Sequence, residues 1–177
     1  TSKIMIFFKL PIVLIKPLLT YPQQAEFEEL LNSCGSMTKQ LEDLGRQLRV
    51  ELLHEGIEDN YFRRYSLLHL NQRAVVIACS STDVSAEFFS ALLKNANTTP
   101  IGKFLFASQS QVQRNPEMQI ELVTIKQVHE PHLQDYLRQH YQTDQEFWQR
   151  KSEFNYRDQR LNLIEILLPE FTDFFSE

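Results

Sequence analysis

The sequence predicts an α+β domain built on an antiparallel β-sheet, and three observations carry that reading. Residues 63–70 and 73–80 alternate like strands and meet at Asn71-Gln72, a hairpin joint. Two further strand-like runs, 151–157 and 161–168, close the chain. The helix-like segments are few and fall between groups of strands rather than after each one, which suits helices covering one face of an antiparallel sheet. At 177 residues a single domain over 1–177 is the simplest division, long enough to bury about 70% of its unfolded surface.

Taken in order, the chain opens with KIMIFFKLPIVLIKPLL, which is apolar but broken by Lys9, Pro11, Lys16 and Pro17. The pieces fall far short of the ~20 residues of a spanning helix. An N-terminal strand or packed arm is expected, and no membrane span. Pro22 opens a helical pattern that places Phe27, Leu30 and Leu31 at helical spacing up to Asn32. Ser36 is an N-cap for a second helix with Met37, Leu41 and Leu44 on one face and Gly45 as its stop. Residues 47–54 alternate like a strand. Asp83 or Ser85 is expected to cap a helix through Leu93, with Phe88, Phe89, Leu92 and Leu93 apolar. TTPIGKFLF follows, then a strand-like run at 118–128 and the helix-like HLQDYLRQHY.

Composition narrows the function. A net charge of −5 and a pI near 5.6 disfavour nucleic acid or an anionic membrane as a partner. Cys34 and Cys79 form neither a metal-ligand spacing nor a disulfide framework, which fits a reducing cytoplasmic or stromal compartment. The five histidines, at 54, 69, 129, 132 and 140, are scattered. No phosphate loop, dinucleotide fingerprint, nucleophile elbow or zinc motif is present, so no metal site is expected.

What stands out is Glu165 in LNLIEILLPEF. On a strand it shares a face with Leu161, Leu163 and Leu167, where an ionised carboxylate is costly unless paired. A cation on a neighbouring strand would answer it. Alternation puts one of Arg63 and Arg64 inside, and the companions of Arg64 (Ser66, Leu68, Leu70) are the slightly more apolar set. A one-residue shift would exchange the two. On pattern alone a structural Arg–Glu pair is the plainer alternative to a functional one.

Four segments, in order, resemble chorismate lyase, the enzyme that splits chorismate into 4-hydroxybenzoate and pyruvate. They are SMTKQLE (36–42), TTPIGKFLF (98–106), WQRKS (148–152) and LNLIEILLP (161–169). Against the family pattern, Ile101 replaces Leu, Lys103 and Lys151 replace Arg, and Phe104 replaces Tyr. The resemblance implies helical flaps over an enclosed site and no cofactor. Met37 and Ile101 would wall the ring, Arg64 and the N–H groups of Ile101 and Gly102 would hold a carboxylate, and Glu165 would act as acid, base or positioning group. It places the activity in ubiquinone or plastoquinone biosynthesis, in a cytoplasmic or plastid monomer whose partners are substrate and product. Residues 114–147 have no family counterpart and are expected to be a variable insertion, dispensable for the chemistry. Two other readings compete. One is a non-catalytic small-molecule domain of the same fold that binds an aromatic carboxylate. The other is a protein-interaction module using 114–147.

Overall fold

The computed structural model describes residues 21–33 and 35–174, so the reading of the N-terminal arm and that of Cys34 lie outside the described residues. Seven antiparallel strands form one sheet: β1 (Leu48–Glu58), β2 (Tyr61–Leu70), β3 (Arg73–Asp83), β4 (Gln113–Arg114), β5 (Gln119–Thr124), β6 (Glu146–Tyr156) and β7 (Gln159–Leu167). Their order is β1-β2-β3-β7-β6-β4, with β5 also pairing with β6. Three two-residue turns make the hairpins, at Asp59-Asn60, Asn71-Gln72 and Arg157-Asp158. The first two have both residues at positive φ (50° and 65°, 46° and 71°), the backbone that matches strand twist in a tight hairpin. The Asn71-Gln72 joint lies where expected. The last hairpin turns earlier than the expected 158–160, a shift that matters for the site.

Among the described residues there are six α-helices: α1 (Tyr21–Asn32), α2 (Met37–Asp43), α3 (Glu87–Ala96), α4 (Gly102–Leu105), α5 (Pro131–His140) and α6 (Pro169–Asp173). Ser36 caps α2, its Oγ accepting from the Lys39 N–H at 3.2 Å. Gly45, at φ 72°, turns the chain away after it. Leu44, expected on the packed face, is 48% exposed because the helix has ended by then. Neither Asp83 nor Ser85 caps α3. The Asp83 carboxylate accepts from the Ser85 N–H and hydroxyl at 2.8 and 2.6 Å, closing a turn at the end of β3, and the helix starts at Glu87. No helix among the described residues is long and apolar enough to cross a membrane.

The sheet is covered on both faces because β2, β3 and β7 are apolar on both. On the Glu165 face lie two separate clusters. Phe27, Leu30 and Leu31 of α1 and Met37 and Leu41 of α2 pack on Val50, Leu68, Val76 and Leu167. Phe89, Leu93 and Ala96 of α3, with Ile101 and Leu105, pack on Phe62, Ala78, Phe154 and Leu163. On the opposite face α5 and a 3-10 turn (Ile125–Gln127) cover Tyr65, Leu67, Ile77, Cys79 and Ile166. Segment 114–147 therefore supplies a strand and a cover for the second face.

If α5 belongs to the same cooperative unit, Leu137→Ala should cost about 2–5 kcal/mol, since Leu137 is fully buried. Urea denaturation should still show one transition by fluorescence and by circular dichroism. Two transitions, with only one of them shifted, would mean that the α5 side unfolds by itself.

Candidate functional site

Sheet register lines up two polar rows across the Glu165 face. Ser66, Ala78, Glu165 and Arg150 are successive partners on β2, β3, β7 and β6. Arg64, Ser80, Leu163 and Ser152 form the next row. Both rows fall at the border between the two apolar clusters of that face, with Ala78 and Leu163 belonging to the second. A cavity opens there.

Glu165 is 6% exposed and its ionic partner is Arg150, directly opposite on β6, with Nε 3.4 Å from Oε2. Arg64, the partner expected from alternation, sits on β2, and β3 runs between β2 and β7. Directly opposite cross-strand pairs form between neighbours, and Arg64 instead donates to the Asn97 carbonyl. The one-residue question resolves geometrically. Arg64 lies on the cavity face, 1% exposed. Arg63 points to the other face, toward Glu58 and Glu130.

Three arginines line the cavity, and each is tied to backbone carbonyls of a covering loop. Arg150 donates from Nη1 to Leu30 O (3.1 Å) and from Nη2 to Ser33 O (3.2 Å), at the C-terminal end of α1. Arg64 donates from Nη2 to Asn97 O at 2.6 Å and, at the limit of bonding distance, to Thr99 O at 3.5 Å, just past the end of α3. Arg114 donates to Gly35 O (3.1 Å) and to the Ser152 hydroxyl (2.6 Å). Its guanidinium also lies over the Phe154 ring at 5.3 Å. The last carbonyls of a helix have no partner inside it and carry its negative end, so a buried guanidinium there is both bonded and electrostatically matched. Burial pulls Arg64 below the usual arginine value, and the field of Glu55 partly offsets this.

These bonds fix two flaps, one around 33–38 and one around 97–106. Met37 and Ile101 enter the cavity from opposite flaps, at 4% and 8% exposure. The flaps meet at Gly102. A Cβ there would lie 2.8 Å from the Ser36 hydroxyl, so only glycine permits the approach. Gly102 thus serves flap contact. The expected anion-binding helix start reduces to the four-residue α4. The cavity has a volume of about 40 Å³, room for about three waters.

The structure brings Met37, Arg64, Ile101, Gly102 and Glu165 to one cavity and adds Arg114 and Arg150 to them. Arg150 was legible in principle. Counting equal steps back from the Arg157-Asp158 turn brings Glu165 opposite Arg150, and the later turn expected from sequence hid the pair. Arg114 carried no such signal, lying at the edge of a segment with no motif. The charged groups lining the cavity are three guanidinium groups and one carboxylate, an arrangement suited to an organic anion. The Nε atoms of Arg64 and Arg150 and Oε2 of Glu165 make no hydrogen bond within the protein.

No protein-family model matches the chain, and no curated protein matches it. Solved structures match in fold. The C-terminal domain of the histidine utilization repressor from Pseudomonas syringae aligns over 70% of this chain and 93% of its own, at 9% identity and a TM-score of 0.51. The effector domain of PhnF from Mycobacterium smegmatis aligns over 78% and 91%, at 7% identity and a TM-score of 0.53. Against a longer PhnF structure this chain spans 65% of the length, with a TM-score of 0.54. These neighbours overturn two expectations. The lyase assignment, with chorismate, 4-hydroxybenzoate, pyruvate and a quinone pathway, is withdrawn, because the matching domains come from regulators. The exclusion of nucleic acid and the default of a monomer are withdrawn as well, since net charge describes a domain's own surface and a repressor works on DNA. What this chain shares with them is an α+β fold of the chorismate lyase-like kind, an antiparallel sheet with helices.

Proposed function

We propose that this chain is a small-molecule-binding effector domain whose ligand is a compact organic carboxylate, held without chemistry in the Arg64–Arg114–Arg150 cavity. One observation carries the reading: three guanidinium groups face one carboxylate in a buried space with apolar walls. A charged ligand there would meet Arg64 Nε, a buried donor with no hydrogen-bond partner in the protein. Leaving such a group unbonded costs about 1–3 kcal/mol, which a bound carboxylate would recover. Glu165, paired with Arg150 in the cavity wall, is a positioning residue in this reading. It fixes the guanidinium that also holds the end of α1.

The effector-domain structures among the neighbours support a regulatory context, with DNA contacted by another part of the protein. Because the arginines tie both flaps, a ligand that competes for them would alter the flaps' hold on α1 and α3. That is a route from occupancy to a distant partner.

The test is thermal denaturation of the pure protein with a panel of small carboxylates, benzoate among them, each beside its neutral amide. At a ligand concentration of 100 Kd the stabilisation should approach about 2.7 kcal/mol. Arg64→Lys keeps the charge but loses the planar fork, and should weaken binding roughly 10- to 150-fold, as expected for a charge-assisted contact of about 1.5–3 kcal/mol. If no carboxylate stabilises the protein more than its amide does, the anion reading fails.

A second measurement separates the structural share of Glu165. Arg150→Met should cost about 3–5 kcal/mol by stranding a buried carboxylate, and the double variant Arg150→Met/Glu165→Leu should recover most of that loss. A double variant no more stable than the single one would show that Arg150 matters through the α1 carbonyls rather than through Glu165.

A further inference from the structure

A second cluster lies on the opposite face of the sheet, away from the arginine cavity. It is assembled by an irregularity in β1. Leu52 pairs with Ser66 but His54 pairs with Tyr65, so Leu53 is an extra residue in the strand. Without it, Leu53, Glu55 and Ile57 would face α5. With it, His54, Gly56 and Glu58 face α5 instead, which is the re-aiming a β-bulge performs. Four residues along an extended strand are too far apart for a His and a Glu to meet unless both lean inward. Gly56 lies between them, and a Cβ built on it would be in ordinary van der Waals contact with His54 Nε2 at 3.7 Å.

From the other side, α5 begins at Pro131 and presents His132 in its first turn. The His54 and His132 rings stack at 4.4 Å between centroids. Both turn Nε2 toward the same atom, Glu58 Oε1, at 3.4 and 3.2 Å. Two nitrogens and one oxygen bound to zinc at about 2.0–2.1 Å in tetrahedral geometry stand about 3.3 Å apart along each edge. The two nitrogen–oxygen separations match such edges, and the three atoms lie within 4.8 Å of one another. His129 precedes the helix and is not part of the group.

The surroundings fit a cation. Arg63 donates from Nη1 to the Glu58 backbone carbonyl at 2.8 Å and lies 3.7 Å from Oε2, which leaves Oε1 to the imidazoles. Glu130 accepts from the Tyr65 hydroxyl at 2.9 Å and lies 3.5 Å from Arg63 Nε. Two carboxylates thus share one guanidinium, and the excess negative charge sits beside the two rings. Cys79 is no competing ligand, since it is buried beneath the cover and its thiol is held well above the usual range, chiefly by burial.

We propose that His54, Glu58 and His132 form a binding site for zinc(II) or a neighbouring divalent transition metal, joining β1 to the start of α5. Three protein ligands leave a position for water, the pattern of an exchangeable rather than a closed structural site. Nitrogen-rich donors of this kind favour zinc, copper, nickel and cobalt over magnesium or calcium.

Isothermal titration of the chelator-treated 177-residue chain with zinc chloride alone tests this, with circular dichroism as a control for folding. One equivalent should bind. His54→Ala, His132→Ala and Glu58→Gln should each weaken binding by more than about 100-fold, since even loss of a partner behind a ligand costs 10–100-fold. The residues sit at the surface, so the variants should stay folded, and His54→Ala alone suffices if another does not. Cobalt(II) should give the visible absorption of a tetrahedral site in the native chain and lose it in His132→Ala. No zinc binding by the native chain, or equal binding by the native chain and His132→Ala, overturns the proposal.

Discussion

Buried guanidinium groups bonded to helix-end carbonyls are the constraint on which the arrangement of this domain depends. Arg150 satisfies carbonyls at the end of α1, Arg64 satisfies those beyond α3, and Arg114 holds the loop between α1 and α2. A buried arginine without partners would be prohibitive, and a helix end buried without partners would be costly too. Each solves the other's problem. The same bonds draw two flaps over the polar seam of the sheet, so the interaction that permits burial also shapes the cavity.

That solution leaves a charge surplus. Glu165 answers Arg150 across one strand pair, but the lining still carries more guanidinium than carboxylate. Apolar clusters flank the pocket on either side and raise the electrostatic stakes of the contacts there. The pocket is cationic and partly apolar, with Arg64, Arg114 and Arg150 set against Glu165 among its charged lining.

The two faces of the sheet divide the labour through register. On the flap face, unbroken pairing from β2 through β3 and β7 to β6 sets Ser66, Glu165 and Arg150 in one row. On the α5 face, one extra residue at Leu53 changes which half of β1 looks inward and brings His54 and Glu58 under His132. One edge strand thus contributes Val50 to the cavity wall and, a few residues on, its histidine to the other side.

Much of this was legible in the chain. Alternation along 63–70 and 161–168 determined that Arg64 and Glu165 point to faces with apolar neighbours, and Asn71-Gln72 marked a hairpin. Ser36 and Gly45 bounded α2 by local capping chemistry alone. The four motif segments led to the right fold and to the cavity's Met37, Ile101 and Gly102, yet to a lyase and quinone-pathway setting at odds with the regulator domains that match. What periodicity could not supply was which strands lie side by side. Glu165 meets Arg150 rather than Arg64 because β3 separates β2 from β7, and His54 meets His132 because a bulge in β1 faces a helix some 75 residues later. Period and capping are properties of a few consecutive residues. Partnership across the sheet depends on strand order, turn position and bulges that only the packed whole selects, and at this protein's two polar clusters it was the packed whole that decided.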